Sequence, residues 1–258
     1  MLKLSAVIIT YNEEKYIEQC LNSLKGIADE IVVVDSLSTD KTEEICLNFG
    51  VKLTKQPFLG YREQKNFACQ QAENDYILSL DADEALSPKL REEILKLKAK
   101  EKWYFDGYSF NRLNNYCGQW MHHTAYYPDR KIRLFNRNRS TWGGINPHDK
   151  IVLKPGSKLV HVKGDILHWV IDSYEDHINK INKFSTISAR SYKALGKKSS
   201  IAKILFDPPY RFIRSYFFKL GIMEGFNGFV VSVFSAYSGF LKYSKLRRLM
   251  LDEKKQKS

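Results

Sequence analysis

The sequence is poor in cysteine, with four in 258 residues. Cys20, Cys46, Cys69 and Cys117 form no CxxC pair, and their spacing fits no zinc site, which excludes a structural zinc. Cys20 and Cys46 fall on apolar helix faces and read as small core residues in a reducing compartment. Glycine-rich phosphate cradles are also missing. There is no GxGxxG and no GxxxxGKS/T, so neither a dinucleotide fingerprint nor a P-loop is present. No RRM, KH or helix-turn-helix signature appears. Long hydrophobic runs are lacking too. The apolar part of "MLKLSAVIITYNEE" is too short for a signal-peptide core and no small-residue cleavage site follows it, so a first strand and a cytoplasmic protein are expected. Acid is in deficit: 29 Asp and Glu against 41 Lys and Arg leave a net charge of +12. An excess of that size points to a polyanionic partner, either a phosphorylated ligand, an anionic membrane or nucleic acid.

A hydrophobic content of 43% and a charged content of 27% are ordinary for a globular chain, so a packed core is expected. The first hundred residues alternate strand and helix. "LSAVIIT" (4–10), "EIVVVD" (30–35), "GVKLTK" (50–55) and "YILSL" (76–80) read as strands, the apolar ones covered on both faces. Between them, Ile17, Cys20, Leu21 and Leu24 recur at helical spacing before Gly26. Asp40 with Glu43 suggests a capping box ahead of Ile45, Cys46 and Phe49. "REQKNFACQQA" (62–72) is a third helix, and Pro88 opens a fourth with Leu90, Ile94, Leu95 and Leu97 along one side. This alternation predicts a mostly parallel, doubly wound α/β sheet, which binds ligands at the carboxyl ends of its strands. Thr10-Tyr11-Asn12-Glu13, Asp35-Ser36 and Asp81-Ala82-Asp83 follow three of those strands and should converge on one crevice.

The acids of "DYILSLDADEALSP" need an explanation, because Asp81, Asp83 and Glu84 repel one another at the end of a buried strand. A Mg²⁺ or Mn²⁺ ion removes that repulsion: it takes one or two carboxylates and leaves its other positions to water and substrate phosphates. With "AVIITYNEEKYIEQCLNSL", "EIVVVDSLSTDKT", "REQKNFA" and "YILSLDADE" in order over about residues 4 to 90, the chain resembles the family 2 glycosyltransferases of GT-A fold. The later "RKIRLFNR", "PHDKI" and "HWVIDSYEDHINKINKFS" resemble the bacterial enzymes that add sugars to the lipopolysaccharide core, of the β-1,4-glucosyltransferase type. The resemblance implies a metal-dependent inverting transfer from a nucleoside-diphosphate sugar, a UDP-sugar, to a glycan or lipid-linked acceptor. It implies that Thr10, Tyr11, Asn12, Glu13, Ser36 and Ala82 line the nucleotide pocket and that Asp35 accepts from the base. Lys65 approaches the diphosphate, Asp81 faces the ribose and a metal-bound water, and Asp83 binds the metal.

Residues 103 to 165 lose the alternation and read as antiparallel strands. Arg130, Lys131, Arg133, Arg137 and Arg139 form a basic run. On one strand, Lys131 and Arg133 would share a face with Arg137 and Arg139, either as a solvated edge or as an anion-binding face for the acceptor. "GGINPHDKI" (143–151) is the best place for a catalytic base, which must take the acceptor's hydroxyl proton. The related enzymes tend to carry His-Glu where this chain has His148-Asp149; the shorter Asp149 either sits closer or leaves the base to another residue. His148 and His168 are alternative metal ligands, and His148 is also a candidate acceptor contact. His122 and His123, beside Trp120 and Tyr126, are further acceptor-groove candidates.

The last part of the chain changes character. Ser173 and Asp176 open a capped helix with Tyr174, Ile178, Ile181, Tyr192 and Leu195 as candidate buried positions. Twelve aromatics then lie between Phe206 and Tyr243, flanked by Arg211, Arg214, Lys219, Lys242 and Lys245. The uncharged run Gly225 to Leu241 is 17 residues and contains Asn227 and three serines, short of the about 20 apolar residues of a span. A segment lying in the headgroup region of an anionic membrane is expected, which makes the protein peripheral on the cytoplasmic face of the inner membrane. The expected organisation is a catalytic part over 1–170, with nucleotide-sugar binding in 1–100 and acceptor binding in 101–170, and a helical membrane-surface segment over 171–258. A non-catalytic basic module for nucleic acid or membrane is the competing class. It leaves Asp35, Asp81 and Asp83 without a role, because acids oppose a nucleic-acid site. A nucleotidyltransferase shares the sheet and the acids but would carry a Gly- and Lys-rich first loop where this chain has "TYNEE". No nucleic-acid partner is therefore expected.

Overall fold

The computed structural model describes residues 1–145 and 148–257, with the backbone alone for Ile145, His148 and 254–257. The chain divides into two compact units. The first comprises Met1–Leu113, Asp129–Gly144 and His148–Trp169. The second holds Asn114–Pro128 and the chain from Val170 onward.

The first unit is built on four parallel strands, β1 (Ser5–Thr10), β2 (Glu30–Asp35), β3 (Lys52–Lys55) and β4 (Tyr76–Asp81), in the order β3-β2-β1-β4. Helices α1 (Ile17–Leu24), α2 (Thr42–Asn48) and α3 (Tyr61–Gln71) connect them. Successive side chains of a strand point to opposite faces. Ala6, Ile8 and Val33 therefore meet Ile17, Cys20 and Leu21 of α1 on one side. Val7, Val32 and Val34 meet Ala68 and Cys69 of α3 on the other. Double burial is why these strands read as unbroken apolar runs. Chain order reverses at β1, which has β2 on one side and β4 on the other, so the crevice for a ligand opens at the carboxyl end of β1.

Beyond β4 the sheet continues through antiparallel strands: β5 (Glu84–Leu86), β6 (Gly107–Tyr116), β7 (Gln119–Met121), β8 (Asp129–Asn136) and β11 (Leu159–Ile171). Their order after β4 is β8-β6-β11-β5, with β7 paired to the end of β6. β9 (Ser140–Ile145) and β10 (His148–Leu153) form a separate two-stranded ribbon. Helix α4 (Pro88–Lys98) starts as its sequence demands, with Pro at N1 and the Ser87 hydroxyl accepting from Leu90 N–H at 3.2 Å. Gly164 lets β11 cross that helix start: its φ is +103°, and a Cβ there would lie 2.8 Å from the Leu90 backbone.

The structure corrects several sequence expectations. β8 lies between β4 and β6 and is no edge. Arg133 is buried within it, and the strand ends at Asn136, so Arg137 and Arg139 do not extend a basic face. No Asp40–Glu43 capping box forms. The Asp40 carboxylate accepts from Thr42 N–H at 3.0 Å and from Glu14 N–H at 3.1 Å, stitching the loop after β1 to the loop after β2. On α4, Leu90 and Ile94 are buried while Leu95 turns outward.

In the second unit, α5 (Tyr174–Ala194) begins with the expected cap, Asp176 N–H donating to Ser173 Oγ at 3.0 Å. Of its five candidate buried positions only Ile181 is buried; Tyr174, Ile178 and Leu195 are exposed. Its inward residues are mostly small or polar, His177, Ser185, Ser188 and Ala189, so that a neighbouring helix can approach closely. Helix α6 (Ile201–Ile213), a π-helical turn over Arg214–Phe218, a tight turn over Gly221–Glu224 and α7 (Gly225–Lys257) complete the unit. Among the described residues no single helix is long and apolar enough to cross a membrane. One bent pair, Ile201–Phe218 with Gly221–Glu253 at 73°, reaches the length and composition together.

Candidate active site

Register places the strand ends side by side. Thr10 pairs with Asp35 across β1 and β2, and Ile9 pairs with Asp81 across β1 and β4. The expected convergence is therefore present. Tyr11 is exposed above the crevice, while the buried Thr10 hydroxyl has no protein partner. Asn12, in the left-handed region at φ 53°, accepts from Thr39 N–H at 2.8 Å and donates its own N–H to Ser38 Oγ at 2.8 Å. Glu13 N–H donates to Thr42 Oγ1 at 2.8 Å. These bonds zip the first two strand-end loops together. Asp35 is fully buried. One of its carboxylate oxygens accepts from Ser38 N–H at 2.8 Å and the other from the Ser38 hydroxyl, so the side chain shapes the loop that holds Ser36. Gln64 donates to Ser36 Oγ at 3.2 Å and to the Gln56 carbonyl at 3.1 Å, tying α3 to the same loops.

At the end of β4 the acids are neutralised by a chain of cations, of which Lys65 and Arg133 are buried. The Lys65 ammonium lies 2.9 Å from Asp81 Oδ1 and 2.9 Å from Asp149 Oδ2. Arg133 Nη2 bridges Asp81 Oδ2 at 2.8 Å and Glu84 Oε1 at 2.6 Å. Arg112 continues the chain to Glu84 at 3.1 Å and Asp129 at 2.7 Å, and Lys131 reaches Asp129 at 3.1 Å. Trp142 supplies a ring face to both central cations, 4.4 Å from Lys65 Nζ and 5.6 Å from the Arg133 guanidinium. Burial alone would raise the Asp81 pKa; Lys65, Arg133 and Arg112 instead hold it well below the usual carboxylate range. Burial likewise opposes the charge of Arg133, and Glu84 and Asp81 more than restore it. Beneath the site the Cys20 thiol is pushed well up, by burial first and then by Glu84, Asp83 and Asp81. It is a structural thiol in a negative field.

Two side chains could hold a divalent cation. Asp83 Oδ2 and His168 Nε2 are 3.4 Å apart, close enough to share one ion, and His168 is registered against Glu84 by the pairing of β11 with β5. Asp81 is engaged on both oxygens by Lys65 and Arg133, so Asp83 and His168 are the better ligand pair. Among the described residues no three His, Cys, Asp or Glu side chains converge on one point. The donor set thus fits an ion that takes its other ligands from water and a diphosphate. Ala82 is buried between the two acids. Arg130 is exposed on β8. The side chain of His148 lies outside the described residues.

Arg112, Asp129, Gln64 and Trp142 are the site residues that sequence reasoning missed, and Glu84 was noticed only as part of the acid cluster. The available signal was Arg133 set between the apolar Ile132 and Leu134: charge at an inward position requires a partner. His122 and His123 serve the second unit instead. His122 N–H and His123 Nδ1 meet the buried Glu224 carboxylate at 2.8 and 2.6 Å.

The family model described as glycosyl transferase family 2 matches residues 5–152. An uncharacterized glycosyltransferase of Rickettsia typhi is 35% identical over 97% of this chain and 89% of its own. LpsC of Rhizobium meliloti, a lipopolysaccharide core biosynthesis glycosyltransferase, is 31% identical over 95% of this chain and 92% of its own. Among solved structures, Staphylococcus aureus TarS 1–349 in complex with UDP-GlcNAc aligns with a TM-score of 0.49 at 14% identity, over 99% of this chain and 92% of that one.

Proposed function

Because the chain belongs to glycosyl transferase family 2, we propose that it moves a sugar from a UDP-sugar to a lipid-linked glycan of the lipopolysaccharide-core type, with inversion and with a bound Mn²⁺ or Mg²⁺. The observation that carries this reading is the Lys65 ammonium, held between the strand-end Asp81 and the distant Asp149. It joins the expected diphosphate contact to the expected base in one site. The similarity to LpsC over nearly the whole chain supports the acceptor class.

Tyr11 offers an exposed aromatic wall for the base beside the unpartnered Thr10 hydroxyl, while Asp35, buried on Ser38, shapes the loop beneath rather than meeting the base itself. Asn12, Glu13, Ser36 and Ala82 shape the pocket around the ribose and its phosphates. Lys65 is the group that exchanges partners. A diphosphate beside it carries more negative charge than Asp149, so the ammonium turns to the phosphates and the carboxylate is released. Asp149 then accepts the hydroxyl proton of the acceptor as that oxygen bonds to the anomeric carbon. The carbon–phosphate oxygen bond breaks on the opposite face, and the nucleoside diphosphate departs with the electron pair. Asp83 and His168 would hold a divalent cation, which when bound would supply positive charge to the departing diphosphate. Arg130 contributes the exposed positive charge for a phosphorylated acceptor. With such an acceptor the protein would work at the cytoplasmic face of the inner membrane.

The test is UDP release from UDP-sugars with deacylated lipopolysaccharide core as acceptor. Asp149→Asn is expected to slow transfer by about 100- to 10,000-fold while UDP binding persists. Transfer at the wild-type rate would move the base elsewhere.

A further inference from the structure

The α6–α7 elbow of the second unit is built inside out. Helix α6 has no buried residue along its thirteen. Phe206 is 71% exposed, Phe218 80% and Phe226 70%, with Tyr210, Ile222 and Met223 also open. Several contacts between its helices are made by small side chains, beside an edge-on contact of Phe212 with the partly exposed Phe229 at 5.8 Å. Ser232 and Ser215 are buried and bonded to each other at 3.0 Å. A Cβ on Gly228 would overlap the Gly221 carbonyl, and one on Gly239 would overlap the Asp207–Arg211 pair. A water-exposed helix pair does the reverse, burying large apolar groups and exposing polar ones. Small residues inside and large apolar ones outside is the pattern of helices that pack in lipid.

Charge narrows the occupant. Between residues 201 and 241 the acids are Asp207 and Glu224 alone. Asp207 is paired with Arg211, and Glu224 is buried against His122, His123 and Gln119. Lys203 and Arg214 are exposed on the same elements. A second copy docked face to face would set these cations against themselves, because a two-fold interface repeats each residue opposite its own neighbourhood. An anionic lipid leaflet matches both the apolar surface and the positive rim. The bend of 73° at Lys219–Leu220 prevents the pair from forming one straight span.

We propose that this elbow is a re-entrant membrane element. Its tip, Phe218, Ile222, Met223 and Phe226, enters the acyl region of one anionic leaflet, while Lys203 and Arg214 remain at the phosphates. This rests on the reading of the protein as a membrane-surface enzyme and goes beyond a segment that merely lies among the headgroups.

The experiment uses the full chain and flotation with phosphatidylcholine vesicles, with and without phosphatidylglycerol. Wild type is expected to float with the anionic vesicles. F218D/F226D is expected to lose binding by at least about tenfold, since each ring forfeits its apolar transfer. Because both rings are exposed, its thermal unfolding and UDP binding should match wild type. Depth is read on Phe218→Trp, whose added fluorescence should be quenched by bromines on the acyl chains. Undiminished flotation of F218D/F226D, or quenching by headgroup labels alone, would overturn the proposal. So would a lipid-free dimer that the same pair of substitutions dissolves, since the occupant would then be a second copy. Flotation without any UDP binding would instead contradict the transferase reading and leave the elbow standing.

Discussion

Replacing Arg133 by Met removes the cation on which the acid end of β4 depends. The side chain is buried, and its guanidinium bridges Asp81 at 2.8 Å and Glu84 at 2.6 Å. Removing one partner of a buried ion pair leaves an uncompensated charge and costs about 3–5 kcal/mol. Here Arg112 still holds Glu84 and Lys65 still holds Asp81, so the lower end applies, about 3 kcal/mol. For a chain of this size each kcal/mol moves Tm by about 2–4 °C, so thermal unfolding should begin about 6–12 °C lower. Combining it with Glu84→Gln removes one of the stranded charges. The pair should then cost less than the sum of the single changes, by more than about 1 kcal/mol. The acid response should change as well. Asp81 is held below its ordinary 3.8, so its contribution is complete above about pH 5 and is lost as pH falls toward the folded value. Without Arg133 the folded pKa rises and that window narrows. A Tm shift below about 2 °C, or strict additivity of the two changes, would refute a buried charge network.

Other consequences can be measured separately. His177 is pushed down to about 4 by burial, while its unfolded value is 6.5. The unfolded chain therefore binds a proton that the folded one refuses, and stability should fall between about pH 6.5 and pH 4. His177→Gln should flatten that part of the unfolding profile; an unchanged slope would remove His177 as its source. Gly164→Ala should destabilise by about 2 kcal/mol or more in urea unfolding, because the new Cβ has neither the backbone angle nor the space beside Leu90. The Asp149→Asn transfer assay and the flotation of F218D/F226D complete the set.

Much of the donor side was legible in the chain. Doubly buried strands have a plain signature, and the rule of carboxyl-end ligands then predicts that Thr10, Asp35 and Asp81 meet. The structure brings them together through register. Whether β8 was an edge could not be read, since its neighbours β4 and β6 come from elsewhere in the chain. An arginine such as Arg133 looks solvated until an interior strand and two acids, Asp81 and Glu84, enclose it. Helix α5 defeated periodicity for a related reason. Spacing ranks Tyr174 and Ile178 as inward because they are large, whereas close helix approach selects Ser185, Ser188 and Ala189. Trp142 carried no motif at all; its role comes from standing over Lys65.

The proposed nucleotide-sugar site at the end of β4 depends on a bound metal. Calorimetric titration of UDP, with Mn²⁺ and with EDTA, on wild type and Asp83→Ala tests it most directly. UDP should bind only with the metal and not at all to the variant, whose thermal unfolding stays close to wild type. Equal UDP affinity in all four titrations, or no binding in any, would contradict it.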